Sequence, residues 1–163
     1  MPTLITPEFR GSFVHLAEPH AIGDSDPAYS MAVAIPKTET EWLAKLDEEI
    51  KEVALAKFGK IPPKLKLTLR DGDEEGRPEF VGCIVFNTKS KTRPGIVDAD
   101  LQPVLDPELL YSGAWYRVSI QPFAWEHPSS GKGVSLGLNN VMWVKDGDAY
   151  SGRAAAATDF ATV

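Results

Sequence analysis

Alternating apolar and polar positions run through most of the chain and predict a protein built mainly of β-strands, because successive side chains of a strand point to opposite faces. The predicted strands cover residues 8–16, 29–35, 65–70, 80–86, 114–125 and 133–144. One face of the second strand carries only Ser30, Ala32 and Ala34, which are small enough for another group to pack closely against them.

A helical period interrupts this pattern once. Leu43, Leu46 and Ile50 begin an apolar stripe at helical spacing, which predicts a helix inserted at about residues 38–59. Thr38 with Glu41 fits a capping box, and Gly59 is expected to end the helix. The stripe favours a helix that packs on the core over one that binds a partner.

The length of 163 residues fits one domain, residues 1–163. Short strands with one inserted helix predict a mainly β fold, an OB-fold-like five-stranded Greek-key barrel. The small and polar residues at about 146–163 predict a flexible C-terminal tail.

The composition indicates the cellular compartment of the protein and whether it spans a membrane. No apolar run approaches the roughly 20 residues of a membrane span, and no signal peptide is evident at the N-terminus. The lone cysteine, Cys83, excludes an internal disulfide. We therefore expect a cytoplasmic protein that does not associate with membranes.

The net charge of −6 argues at first against a nucleic-acid partner, but the charge is unevenly distributed. Residues 57–93 hold nine basic and five acidic side chains and so carry +4, which leaves −10 for the rest of the chain. A polyanion responds to the local field of such a patch rather than to the net charge.

Three cations stand at alternate positions directly after the apolar run that ends at Phe86. Lys89, Lys91 and Arg93 would share one face of an extended chain and present a row of charge to a string of phosphates. Lys66 and Arg70 form a shorter version of this pattern. The alternative is a solvated edge strand whose lysines block aggregation, and the spacing leaves both interpretations open.

The long strand at 114–125 carries a second candidate surface. One face holds Trp115, Arg117 and Trp125 together with a serine, an amide and a phenylalanine. Aromatic rings mixed with a cation suit the stacking of bases along a backbone, although large aromatic residues more commonly fill cores.

Catalytic and metal-binding patterns are not found. The acidic turn from Asp71 to Gly76 fails the calcium-loop pattern, because position 82 is glycine where a bidentate glutamate is required. His15 and His20 lack further ligands at suitable spacing for zinc. No catalytic residue, metal or cofactor is therefore predicted.

Four motifs in order carry a family resemblance: residues 67–73, 89–98, 109–113 and 137–141. Together they resemble a phage and prophage family described as single-stranded DNA-binding proteins of the Enc34 phage type, over about residues 9–160. The resemblance implies an OB-fold without catalytic activity, and a role in protecting single strands during replication or recombination. It also implies that the Lys89–Lys91–Arg93 row contacts the DNA backbone, and it places Arg70 and Tyr111 in matching motifs.

The predicted function is non-enzymatic, largely sequence-independent binding of single-stranded DNA. The candidate DNA-binding residues are Lys66, Arg70, Phe86, Lys89, Lys91, Arg93, Tyr111, Trp115, Arg117 and Trp125. Weak binding of duplex DNA and a homodimer are left open. The alternatives are a metal-dependent nuclease that uses Asp71, Asp73, Glu74 or Asp98, and a structural phage protein whose aromatic hairpin is an oligomer interface.

Overall fold

Ten strands and one α-helix make up the regular structure of the protein, which a computed structural model describes for residues 3–21 and 26–149. The helix, α1, spans Thr40–Phe58. The strands are β1 (Leu4–Ile5), β2 (Phe9–Arg10), β3 (Ser12–His20), β4 (Ala28–Pro36), β5 (Lys66–Leu67), β6 (Arg70–Asp71), β7 (Cys83–Ser90), β8 (Gly95–Asp98), β9 (Trp115–His127) and β10 (Gly131–Lys145). Three short 3₁₀-helices lie at Gly72–Glu74, Pro78–Phe80 and Pro107–Leu109.

The strands form one sheet whose main path runs β1-β9-β10-β7-β4-β3. The two edge strands, β1 and β3, both belong to the N-terminal segment. Between them the chain bends at Gly11, whose amide donates to the Ala114 carbonyl (3.0 Å). No pairing among the described strands joins β3 to β1, so hydrogen bonds do not close the sheet there. The predicted mainly β architecture with one helix is confirmed, but the sheet consists of ten strands instead of five, and several of them are only two residues long.

The predicted inward faces form the core. In β9, Tyr116, Val118 and Ile120 are buried, while the residues between them are partly exposed. In β4, Met31 and Val33 join the same core cluster. The alternation of the sequence therefore assigned the two faces of these strands correctly.

A second, smaller cluster lies on the outer face of the sheet. Ala32 and Ala34 of β4 pack there against Val85 and Phe80, the latter from the second 3₁₀-helix. The small side chains of β4 permit this close cover, as their size predicted. The cover extends over one end of β4 only, and at the other end Ser30 lines an open depression.

Helix α1 packs on the core through Leu46, Ile50 and Ala54, which are buried. The Trp42 ring stacks on Phe86 at a centroid distance of 6.3 Å. The helix ends as predicted at Gly59, which adopts a left-handed φ of 75°. No helix within the described ranges is long and apolar enough to cross a membrane.

The predicted capping box of α1 is wrong. The residue preceding the first turn is Glu39 instead of Thr38, and no side chain caps the helix there. The chain begins its helical turn two residues after Thr38, so the Thr38 hydroxyl is out of position for the backbone amides that a cap would satisfy.

The sequence pattern predicted no strand at residues 95–98, and this is wrong as well. Residues 95–98 form β8, which pairs in parallel with Asn140–Trp143 of β10. This short strand has a partner more than 40 residues away along the chain, a long-range pairing that periodicity does not reveal.

The segment predicted as a flexible tail lies mostly outside the described residues, which end at Ala149. Its first residues are held in place: the Tyr111 hydroxyl donates to Asp146 Oδ1 (2.8 Å) and accepts a hydrogen bond from the Gly147 amide (3.0 Å).

Candidate nucleic-acid interface

A row of outward-facing residues crosses five strands of the sheet. Paired residues in adjacent strands point to the same face, so the register defines which side chains are neighbours. Starting at β9, the row consists of Gln121, Gly137, Lys89, Ser30 and His15. Lys89 stands at its centre, flanked by a glycine and a serine that leave its side chain uncovered.

Two depressions of about 450 and 460 Å³ lie on this face and share His20, Ser30 and Lys89. We call the combined surface the outer groove. Its lining includes Phe13, His15, His20, Ser30, Thr68, Arg70, Asn87, Lys89, Lys91 and Phe123. The groove brings cations, aromatic rings and small polar groups together on one exposed surface.

The predicted row of three cations is divided. Strand β7 ends at Ser90, where the Ser90 hydroxyl accepts a hydrogen bond from the Thr92 amide (3.2 Å) and turns the chain. Lys89 and Lys91 line the outer groove. Arg93 lies beyond the turn and lines a different depression of about 320 Å³. The uninterrupted extended row is therefore wrong, because a local side-chain hydrogen bond ends the strand.

The two other basic candidates, Lys66 and Arg70, differ in their surroundings. Lys66 is exposed and pairs in register with Gly133 of β10. Arg70 lines the outer groove, but its guanidinium forms an ion pair with Glu75 and donates to the Thr68 carbonyl (3.3 Å). The positive charge of Arg70 is therefore partly neutralised by a carboxylate of the same chain.

Phe86 does not present its ring to solvent. Its side chain is 0% exposed and packs in the core beneath Trp42. The prediction of Phe86 as a DNA-binding residue is wrong for this reason: in the pleat it points inward, opposite to its neighbours Asn87 and Val85.

The aromatic candidates on β9 occupy the outward face, as predicted, but they are far apart. Ten residues of extended chain separate Trp115 from Trp125, which corresponds to roughly 33 Å. Trp125 lies at the groove end of β9 and donates from Nε1 to Ser135 Oγ (2.9 Å). Trp115 lies at the other end, where the Lys145 ammonium is 5.1 Å from its ring centroid.

Arg117 and Tyr111 have structural partners at that distant end. The Arg117 guanidinium donates from Nε to the Thr6 carbonyl (3.0 Å). The Tyr111 hydroxyl is bonded to Asp146 and Gly147, and burial is the main cause that raises its pKa. Neither residue lines the outer groove.

Four ring-bearing residues of the groove were missing from the sequence-based selection: Phe13, His15, His20 and Phe123. Phe123 lies on the same face of the predicted strand as Trp115 and Trp125, so periodicity could have identified it. The two histidines stack with a centroid distance of 4.1 Å and an interplanar angle of 8°. Burial, and then repulsion by His20, lower the pKa of His15.

Three of the four acidic residues of the nuclease alternative are engaged in structural contacts. Asp71 and Asp73 each lie 2.7 Å from the Lys37 ammonium, whose hydrogen bonds hold the pKa of both carboxyl groups below their usual range. Asp98 accepts hydrogen bonds from the Asp100 and Gln102 amides. Within residues 3–21 and 26–149, no group of three or more His, Cys, Asp or Glu side chains is arranged to hold a metal ion.

Comparison with known proteins adds independent information on this chain. The family model described as "Enterobacter phage Enc34, ssDNA-binding protein" matches residues 2–163. Putative protein p50 of Acyrthosiphon pisum secondary endosymbiont phage 1 is 28% identical over 162 residues, which cover 92% of this chain and 87% of that protein.

Solved structures of phage proteins share the fold. The single-stranded DNA-binding protein from bacteriophage Enc34, in complex with ssDNA, is 25% identical and superposes with a TM-score of 0.81 over 91% of this chain and 89% of that chain. The single-stranded DNA-binding protein gp2.5 of bacteriophage T7 is 15% identical, with a TM-score of 0.68 over 99% of this chain and 93% of that chain. The latter similarity concerns the fold alone.

Proposed function

The chain belongs to the family of the Enc34 phage single-stranded DNA-binding protein, and from this premise we propose that it binds single-stranded DNA through the outer groove. The function is non-enzymatic. Coating of single strands during phage replication or recombination is the proposed role, and the cytoplasm of the bacterial host is the proposed location.

The observation that carries the proposal is the position of Lys89. It stands at the centre of a row across five strands, between Ser30 and Gly137, whose side chains are too small to cover it. Lys91 lines the adjoining depression. Two ammonium groups on one groove suit successive phosphates of a flexible strand, and their neutralisation releases counterions.

Sequence independence follows from the chemistry of the groove. Lysine contacts phosphate as a point charge and carries no information on the base. Rings such as Phe123, which is 39% exposed, offer a surface to any unpaired base, because every base has a π-face. Duplex DNA keeps its bases stacked inside the helix, so we infer that it binds more weakly than the single strand.

A homodimer is a separate part of the proposal. A depression of about 730 Å³ between α1 and β9 combines an apolar floor with a charged rim; it is lined by Val53, Ala56, Phe123 and Ala124 together with Glu49, Glu52 and Lys57. Such a surface supports self-association. Sedimentation equilibrium of the full chain measures the mass: a monomer at every concentration would remove this part and leave DNA binding unaffected.

The test is a titration of a fluorescein-labelled oligo-dT strand of about 16 nucleotides, followed by anisotropy over a series of salt concentrations, with and without magnesium. Lys89→Ala is expected to weaken binding and to reduce the slope of log K against log salt by about 0.7, the value of one phosphate contact on a single strand. Lys51→Ala is the matched control, because Lys51 lies on α1 paired with Asp47.

Each other outcome would change a different part of the proposal. Equal affinity and slope for Lys89→Ala and the native chain would place the binding site elsewhere. Cleavage of the strand that depends on magnesium would support the nuclease alternative. A folded protein that gives no signal at low salt would contradict DNA binding and favour a structural role.

A further inference from the structure

Phe13 occupies an extra position in the edge strand of the outer groove. Between the pairs Ser12–Ala32 and His15–Ser30, β3 advances by three residues while β4 advances by two. Val14 packs against the core, and its amide donates to Ser112 Oγ (3.2 Å). Phe13 is therefore the inserted residue of a β-bulge, a device that redirects a side chain and is common beside binding sites.

The backbone and the side chain of Phe13 are both unfavourable for stability. Its φ is 50°, in the left-handed region that a residue with a bulky side chain rarely adopts. Its ring is large and apolar, yet the residue is 48% exposed. Strained residues of this kind concentrate at functional sites, where the surrounding structure holds them in place.

The ring lines the same depression as Lys89, and a cation covers one of its faces. The Arg77 guanidinium lies 4.6 Å from the Phe13 ring centroid. Arg77 is itself half-exposed, and its nearest carboxylate oxygen, on Glu79, is 3.6 Å away. A guanidinium over one face orients the ring and leaves its exposed surface available to another planar group.

We infer that Phe13 is a stacking platform for one nucleobase of the bound strand, with Arg77 as the residue that positions the ring. The inference rests on the proposed function and refines it. The base stacks on the open face of Phe13 while its phosphate lies towards the lysines of the groove. The ligand is any unpaired nucleobase, since the contact uses only its π-face.

The decisive variant is Phe13→Gly, because it separates DNA binding from folding. Glycine adopts a φ of 50° without strain, so the melting temperature is expected to stay the same or to rise. The dissociation constant for oligo-dT is expected to increase about tenfold, within the range for loss of one base stack. The salt slope should not change, since a stacking contact releases no counterions.

Two further variants distinguish the effect of the aromatic ring from the effect of side-chain size. Phe13→Tyr keeps an aromatic face and is expected to bind like the native chain. Phe13→Leu keeps an apolar side chain at the same strained position and is expected to lose as much affinity as Phe13→Gly. Native affinity in Phe13→Leu would overturn the stacking platform even if the glycine variant were less stable than expected.

The role of Arg77 is tested by a double-mutant cycle. Arg77→Ala is expected to weaken binding in the native background and to have no effect in Phe13→Gly, because there is no ring left to position. An equal loss in both backgrounds would contradict the positioning role and indicate a direct contact of Arg77 with phosphate.

Failure of this inference is distinguishable from failure of the proposed function. If Lys89→Ala weakens binding while Phe13→Gly does not, the strand lies in the groove and the platform is wrong. If neither variant changes binding, the groove itself is not the interface.

Discussion

At the scale of single residues, the groove depends on small neighbours as much as on charged ones. Lys89 is accessible because Gly137 and Ser30 flank it in the adjacent strands. Arg70, by contrast, has a carboxylate partner in Glu75. Two cations of the same sequence pattern therefore differ in their availability to DNA, and the difference arises from their partners.

The separation of Arg93 from the lysines leads to a first prediction. Lys91→Ala is expected to lower the affinity for oligo-dT severalfold and to reduce the salt slope by about 0.7. Arg93→Ala should have a clearly smaller effect, because Arg93 lines a different depression beyond the turn at Ser90. Anisotropy titrations of both variants at several salt concentrations measure this. A larger loss for Arg93→Ala would show that the strand passes over that turn.

A second residue-scale prediction concerns pH. The pKa of His15 is lowered from its usual value of 6.5 by burial and by His20. Between the two pKa values, His15 is therefore protonated in the unfolded chain but mostly neutral in the folded chain. The free energy of unfolding consequently falls as the pH decreases from 6.5 towards the lowered pKa of folded His15. Below that lowered pKa, this contribution of His15 no longer changes.

Urea melts at about pH 7.5, 6.5 and 5.5 test this dependence. His15→Asn is expected to reduce the loss of stability between the upper and lower values. His127→Asn, on the exposed β9–β10 hairpin, is the matched control and should follow the native chain. An equal loss of stability in His15→Asn would assign the effect to another group.

At the scale of elements, α1 is fixed by packing. Ile50 is 3% exposed within the core cluster, and Leu46 lies one turn before it. The residue before the first turn, Glu39, makes no side-chain cap. The helix therefore depends on its buried face for stability, as is usual for helices of this length.

Stability measurements on two variants test this. Ile50→Ala is expected to lower the free energy of unfolding by about 2–5 kcal/mol, the cost of a cavity in a packed core. Thr38→Ala should cost less than the roughly 1 kcal/mol of a lost N-cap, since Thr38 caps nothing. Chemical denaturation gives both values. A full cap penalty for Thr38→Ala would show that the capping box forms after all.

The fold also requires the N-terminal segment to bend at Gly11, where the backbone packs closely against the core. At Gly11 an added Cβ would stand 2.7 Å from the Tyr116 ring and 2.9 Å from Met31 Cε. Both neighbours are buried, so neither can move without disturbing the core.

We expect Gly11→Ala to destabilise the protein by about 1–3 kcal/mol through overpacking. Gly137→Ala is the matched control, because its nearest neighbour, the Gln121 carbonyl oxygen, would be 3.5 Å from the new Cβ, an ordinary contact. Thermal melts of the two variants compare them directly. Equal stability would indicate that the bend can relax.

At the scale of the whole molecule, the proposed DNA interface is a small basic surface on an acidic protein. The net charge is −6, and two lysines, Lys89 and Lys91, lie in the outer groove. We therefore expect a modest slope of log K against log salt, about −1.4 for two phosphate contacts on a single strand. A slope of about −4 or steeper would require cations outside the groove.

The sequence predicted much of the architecture, because strands with one buried face display an unambiguous alternation. The faces of β4 and β9, the position of α1 and the helix stop at Gly59 were all correct. Strand β8 was not predicted, since its existence depends on a partner in β10.

The site was predicted less completely than the fold. Lys89 and Lys91 were identified from their spacing, and the structure places both in one groove. Phe86 was assigned to the wrong side of the sheet. Phe13 was missed because a bulge, which adds one residue to β3, shifts the alternation at that point.

The sequence by itself determined the fold class, the family and the segment that carries the basic residues, since periodicity, motif order and charge are local properties of the chain. Only the tertiary structure decided which of those residues lie together. Sheet register placed Lys89 beside Gly137 and Ser30, a turn separated Arg93 from the lysines, and a bulge brought Phe13 into the groove. Register, turns and bulges are set by contacts between distant segments, and these contacts exist only in the folded chain.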